Sequence, residues 1–348
     1  MSGVQVIEVD AGGDGQRLDR WFRKRFPHVT QGRIEKLCRR GEIRVDGGRV
    51  RPASRLSQGQ KLRVPPLPDA DAPAQPAPPA VSEADAAMIR RCVIFRDDHV
   101  LALNKPAGLP VQGGSRQTRH VDGLAEALRF GAAERPRLVH RLDKDTSGVL
   151  LLARSATAAA ALTREFRKRG TRKIYWAVTA GVPSPRRGMI TTGLLKAPGH
   201  GPHGAGEKMI NVHPDAVPGT PGAKRAVSEY AVIEPAATRA AWVALSPVTG
   251  RTHQLRAHMA EIGHPIVGDG KYGTNRQTNE GEGWGAQLGG DISRKLHLHA
   301  RTLAFDHPVT GARLVLTAPL PEHMARTWDL FGWQAADAPS DPFAEDAA

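Results

Sequence analysis

Residues 138–155, LVHRLDKDTSGVLLLARS, crowd one His, two Arg, one Lys and two Asp around an apolar run. Either carboxylate, Asp143 or Asp145, could serve as an acid, a base or a nucleophile. Asp145, Thr146, Ser147 and Gly148 read as a turn, because short polar side chains hold turns by bonding their own backbone. Asp143 lies between Leu142 and that turn, just ahead of a run from Gly148 to Arg154 that reads as buried. A carboxylate at that depth costs several kcal/mol unless it is paired. The best-suited cation is Arg256, in a second tight cluster, VTGRTHQLRAH, residues 248–258. An Asp143–Arg256 pair would keep the carboxylate ionised and oriented, as nucleophilic or electrostatic catalysis requires. A purely structural ion pair fits the bare sequence equally well.

Two other chemistries fit less well. HRLDKD superficially resembles the protein-kinase catalytic loop, but Leu142 intervenes before Asp143 and Gly148 stands where that loop has Asn. A metal site would need clustered ligands. His253 and His258 are five apart, the wrong spacing for one helix face, and His297 and His299 have no acids or cysteines beside them. No metal is expected.

The elements that must position these residues come from a chain of 348 residues, long enough for a large domain and a small one. Lys and Arg outnumber Asp and Glu by 49 to 35, which points to a polyanionic partner. Between Arg17 and Arg63 fifteen basic residues face four acidic ones, so most of the excess sits there. Within that stretch QGRIEKLCRR reads as a helix with Ile34, Leu37 and Cys38 inward, Arg33, Lys36 and Arg40 on another face, and Gly41 as its C-cap. A hairpin turning at Asp46-Gly47 and a strand in KLRVP complete a small α/β module over 15–65. Basic residues gathered on one helix suit a phosphate backbone.

A Pro/Ala-rich linker follows over 66–88. The main domain spans 89–334, and an acidic tail, expected to be disordered, spans 335–348. The main domain carries many strand-like runs with hairpin turns and two helical stretches, at 156–170 and 250–263. The expected fold is α+β with a largely antiparallel mixed sheet. The His- and Gly-rich segment 196–225 reads as a loop between strands. Cys38 and Cys92 form no framework, and neither a signal peptide nor a membrane span is evident, so a cytoplasmic protein is expected.

Five motifs in order resemble the RluA-type family of RNA pseudouridine synthases. VLALNKPAGLPVQGGS is similar to its first motif, HRLDKDTSGVLLLAR to its second, and RKIYWAV to its tyrosine-bearing strand. GRTHQLRAHMAEIGHPIVGDGKYG and LHARTLAFDHPVTG are similar to its last blocks, and residues 17–65 resemble the S4-type RNA-binding module that many members carry. The resemblance implies Asp143 as the catalytic aspartate, with Arg256 and Tyr175 beside it. Arg141 would help displace the target base, and Lys105 would meet RNA phosphate or backbone. Arg17, Arg33, Lys36 and Arg40 would contact RNA from the small module. Many members have His-Pro where this chain has Gln112-Gly113; together with SPVTGRTHQLRAH, this form is closer to the RluC-type enzymes of large-subunit rRNA. The implied reaction turns uridine into pseudouridine on one chain, a monomer, without a cofactor. Isomerisation of tRNA, or non-catalytic RNA binding in ribosome assembly, are the alternatives.

Overall fold

The computed structural model describes residues 3–67, 81–113, 119–166, 170–197, 208–273 and 292–343. The chain forms two compact units, Met1–Ala80 and Val81–Ala348.

The first unit holds β1 (Gln5–Glu8), α1 (Leu18–Arg25), α2 (Gln31–Arg40), β2 (Arg44–Val45), β3 (Gly48–Arg49) and β4 (Lys61–Val64). Its sheet runs β1-β4-β2-β3, antiparallel throughout. The Thr30 hydroxyl caps α2 by accepting from Arg33 N–H, and Gly41 ends it at φ 70°. Ile34, Leu37 and Cys38 are buried, while Arg33, Lys36 and Arg40 are exposed. Asp46 and Gly47 both take positive φ, as a two-residue hairpin turn demands. The unit is wider than the expected 15–65: β1 pairs with β4 along its length, and Leu67 is buried in the core.

The second unit holds α3 (Glu83–Arg91), β5 (Val93–Arg96), β6 (Val100–Lys105), α4 (Val121–Leu124), β7 (Arg137–Leu138) and β8 (Ser147–Ala153). There follow α5 (Ala156–Glu165), β9 (Arg172–Ala180), β10 (Arg187–Lys196), β11 (Met209–Val212), β12 (Lys224–Ala236), β13 (Ala240–Pro247) and α6 (Gln254–Glu261). β14 (Leu298–Asp306), β15 (Arg313–Thr317) and α7 (Glu322–Phe331) complete it. The strand order is β11-β10-β12-β13-β9-β14-β8-β6-β5, with β15 on β14 and β7 on β8. Every pairing is antiparallel except that of β14 with β8. This is the expected α+β fold.

All seven residues of β8 are buried, which explains the near-continuous apolar run in the sequence. Gly148 opens that strand at φ 109°, and a Cβ there would stand 2.2 Å from the carbonyl oxygen of Ala300 on β14. Only glycine lets the two backbones close at the point where the Asp143 loop enters the sheet.

Three boundaries differ from expectation. The linker is shorter than 66–88, because Leu67 belongs to the first core and Ser82 already caps α3; residues 68–80 lie outside the described residues. The segment 196–225 holds β11, paired with β10, rather than loop alone, with 198–207 outside the described residues. The tail is ordered over 335–343. Phe343 packs on the core cluster that holds Trp176, Trp242, Trp328 and Trp333, and Asp341 pairs with Arg172 at 2.9 Å. These contacts, with Ala338 on the same core and Arg187 donating to Pro342 O at 2.8 Å, overcome the acidic composition; 344–348 lie outside the described residues. No helix among the described residues is long and apolar enough to cross a membrane.

Candidate active site

The loop before β8, the middle of β9, the end of β13 and the start of α6 enclose a cavity of about 330 Å³. That is the low end of the range for small-ligand sites. Asp143, Tyr175, Arg256 and Arg141 all line it, so four residues drawn from three separated motifs converge.

Asp143 is partly exposed, its side chain 19% accessible, rather than deeply buried. Its Oδ2 stands 3.8 Å from Arg256 Nη1 and 3.9 Å from His253 Nε2. The expected pair of Asp143 with Arg256 is present as a long ion pair, while the short bonds of Arg256 go elsewhere. Arg256 instead grips Asp269, with Nε and Nη2 each 2.6 Å from a carboxylate oxygen. Asp269 is fully enclosed and also accepts from the backbone N–H groups of Lys271 and Tyr272, at 2.9 and 3.1 Å. Burial opposes both charges. The mutual hydrogen bonds outweigh it, holding Asp269 below the usual carboxylate range and Arg256 above the usual guanidinium value.

This arrangement has a chemical consequence. A cation anchored by a second carboxylate attracts Asp143 without closing on it, so the oxygens of Asp143 stay open toward the cavity. Tyr175 stands half-buried on β9, opposite Leu245 of β13 and Ala300 of β14. Burial, and then the charge of Asp143, push its hydroxyl well above its ordinary pKa, so it stays protonated. Arg141 is exposed at the edge of the cavity.

Lys105 is expected at the RNA surface, and the structure overturns that. It is completely buried, and its ammonium donates to the carbonyls of Pro106, Leu109 and Lys144 at 2.9, 2.9 and 3.0 Å. Burial pulls its pKa down to about 7, against the opposing charges of Asp145 and Asp143. Lys105 therefore ties the loop after β6 to the Asp143 loop, which Gly108 N–H also meets at Lys144 O, 2.9 Å away. The Gly114-Ser115 part of the first motif lies outside the described residues. Arg17 is also less available than expected, because Asp19 holds it through two hydrogen bonds of 3.1 and 2.6 Å.

Several site residues escaped sequence reasoning. Buried Gln254 accepts from Thr249 Oγ1 and Arg251 N–H, and donates to Val227 O and Ser228 Oγ, so it shapes the loop entering α6. His140 Nε2 accepts from Leu151 N–H at 2.8 Å while its ring stacks on Phe166. Burial, then the charge of Lys173, bring its pKa to about 3, so the cavity wall there is neutral. His258, His297 and His299 are each held by two hydrogen bonds in the core. Asp269 could have been suspected only from its place in the GDGKYG block; nothing in its spacing points at Arg256.

The sequence signature of the RNA pseudouridylate synthase family matches residues 99–261, which contain Asp143, Tyr175 and Arg256. The ribosomal large subunit pseudouridine synthase C of Vibrio cholerae serotype O1 is 35% identical over 326 residues, covering 92% of this chain and 95% of that protein. The protein of the same name from Escherichia coli K12 is 34% identical over 331 residues, covering 93% and 95%. Among solved structures, human RNA pseudouridylate synthase domain containing 4 superposes with a TM-score of 0.57 at 32% identity, covering 71% of this chain and 95% of that one. By its fold, its cavity and these relatives taken at nearly full length, the chain belongs to the RNA pseudouridine synthase family of isomerases.

Proposed function

We propose that this synthase isomerises uridines of large-subunit rRNA, with Asp143 as the group that engages the ribose. The observation that carries the proposal is the convergence of Asp143, Tyr175 and Arg256 on one nucleoside-sized cavity. The similarity to ribosomal large subunit synthases over 92% of the chain supports the choice of RNA.

The reaction breaks the N-glycosidic bond, turns the uracil and joins its C5 to C1′ of the same ribose. The target uridine first leaves its stack, at a cost of a few kcal/mol. Arg141, planar and permanently charged, fills the place it vacates. An ionised carboxylate serves either route to bond cleavage, attack at C1′ or removal of a ribose proton. Arg256 places a positive charge 3.8 Å from Asp143, and the anchoring of Arg256 by Asp269 keeps Asp143 accessible. Tyr175 supplies a neutral ring and hydroxyl against the uracil. One chain contributes the whole constellation, which suits a monomer acting in the cytoplasm with its rRNA.

The first unit acts as an S4-type RNA-binding module, through exposed Arg33, Lys36 and Arg40 on α2. Removing residues 1–80 lowers RNA affinity and flattens its salt dependence, by about 0.7–0.9 in logarithmic slope for each phosphate the module neutralises. Filter binding across a salt series reads this; an unchanged slope would assign the module another task. Mapping pseudouridine in rRNA and tRNA with and without the gene tests the target. Disappearance of sites from the large-subunit rRNA is expected, and an effect confined to tRNA would overturn the choice.

A further inference from the structure

His253 lies at the entry of α6 in a conformation its own helix does not ask for. It takes φ 51° and ψ 21°, the left-handed region, which costs a non-glycine residue on the order of 1 kcal/mol. It occupies the N-cap position, yet its side chain makes no capping hydrogen bond. The ring is turned instead into the cavity, 9% exposed, with Nε2 3.9 Å from Asp143 Oδ2. Its other nitrogen is fixed: Nδ1 stands 3.1 Å from the Tyr272 hydroxyl, and that oxygen accepts from Met209 N–H at 2.8 Å. Burial pushes the Tyr272 hydroxyl up to about 12, so it keeps a proton that it can donate to Nδ1. With one lone pair of the Tyr272 oxygen taken by Met209, the network favours a neutral imidazole carrying its hydrogen on Nε2, the nitrogen that faces Asp143.

We propose that His253 is a positioning residue for Asp143: the Tyr272 hydroxyl locks its tautomer, and its Nε2–H is a second donor, toward the same Oδ2 as Arg256, that orients the carboxylate. The proposal rests on Asp143 being the reactive group. Both donors stand just beyond hydrogen-bond length, at 3.9 and 3.8 Å, and catalytic contacts of this kind tighten when substrate closes a site. The roles of the two donors differ. Arg256 supplies charge, whereas neutral His253 supplies direction without competing for the carboxylate as a second cation would. The charged and titratable groups around His253 are Asp143 from the loop before β8, Arg256 from its own helix, and Asp269, Lys271 and Tyr272 from the segment after it. Burial lowers its pKa first, and Asp143 opposes that. Protonation at acid pH would close the ring onto Asp143 as an ion pair and remove the open carboxylate.

The test is tritium release by the full-length protein from rRNA carrying 5-tritiated uridine, read as kcat and KM from pH 5 to 9. His253→Ala lowers kcat about 10- to 100-fold, the worth of a hydrogen bond to a charged group, with KM within a few-fold. His253→Gln, whose amide offers an N–H at similar reach, recovers most of that rate and loses the acid limb due to imidazole protonation. Tyr272→Phe, which unlocks the tautomer, lowers kcat in the wild-type background but not in the Gln background. Wild-type kcat in the Ala variant, or a Gln variant no better than Ala, would overturn the proposal. So would an equal loss from Tyr272→Phe in both backgrounds, the sign of a merely structural hydroxyl. Asp143→Asn, run alongside, separates the two ideas. Activity in that variant sinks the role of Asp143 itself, whereas an inactive Asn variant beside an unaffected His253→Ala sinks only the positioning role. The Tyr272→Phe comparison decides the matter if the Ala variant fails to fold.

Discussion

Replacing Asp143 with Asn abolishes pseudouridine formation, by about a thousandfold or more, while RNA affinity stays within a few-fold; effects of that size follow removal of a reacting group. The side chains are nearly isosteric, but the neutral amide has neither the charge nor the basicity to attack a ribose carbon or take its proton. Removing a carboxylate from a buried ion pair ordinarily leaves an orphaned cation and an unstable fold. Here Arg256 keeps both of its short bonds to Asp269, so the substitution should be silent in stability. Tritium release from 5-tritiated uridine reads the chemistry, since C5 must lose its proton when it is joined to C1′. Filter binding reads affinity, and thermal melting reads the fold. Full activity in this variant would remove Asp143 from the mechanism.

The second large effect comes from the buried pair of Arg256 and Asp269. Asp269→Leu leaves the Arg256 guanidinium buried without its partner, and Arg256→Met leaves the Asp269 carboxylate so. Each should destabilise the larger unit by about 3–5 kcal/mol. The double variant, with two apolar side chains of similar size, should recover to within about 1–2 kcal/mol of the starting protein, because no uncompensated charge remains. It should nonetheless be inactive, since Asp143 then faces no cation. Urea midpoints and tritium release measure the two halves of this outcome, and destabilisations that simply add in the double variant would count against it. The sign with pH follows from the depressed pKa of Asp269. The pair contributes fully above the unfolded carboxylate value near about 4, and its contribution fades as pH falls below that through the folded value.

Local rules carried α2 from sequence to structure almost unchanged. Its inward Ile34, Leu37 and Cys38, its Gly41 cap and the Asp46-Gly47 turn each follow from periodicity or backbone chemistry within a few residues. The strands of the main sheet were legible for the same reason, and Asp143, Tyr175 and Arg256 through family resemblance. What stayed hidden depends on partners across long separations. Lys105 looks like a surface lysine until three carbonyls surround its ammonium. Asp269 acquires its role only when the segment after α6 folds back on Arg256, thirteen residues away. His253 reads as half of a failed metal pair until Tyr272 and Met209 fix one of its nitrogens. The tail's order rests on Ala338, Phe343 and two arginines reached across more than 150 residues, which no sequence window contains.

The place of β14 carries a consequence in time. It lies between β8 and β9, which are neighbours in sequence but not in the sheet. Asp143 enters with β8 on one side of it, and Tyr175 and Arg256 belong to the β9–β13 side. During synthesis all three residues leave the ribosome well before Leu298–Asp306, the strand that sets the two halves side by side. Such long-range pairing is slow to form. A nascent chain halted before that strand would carry every reactive group and no site, so modification of RNA waits until translation is nearly complete.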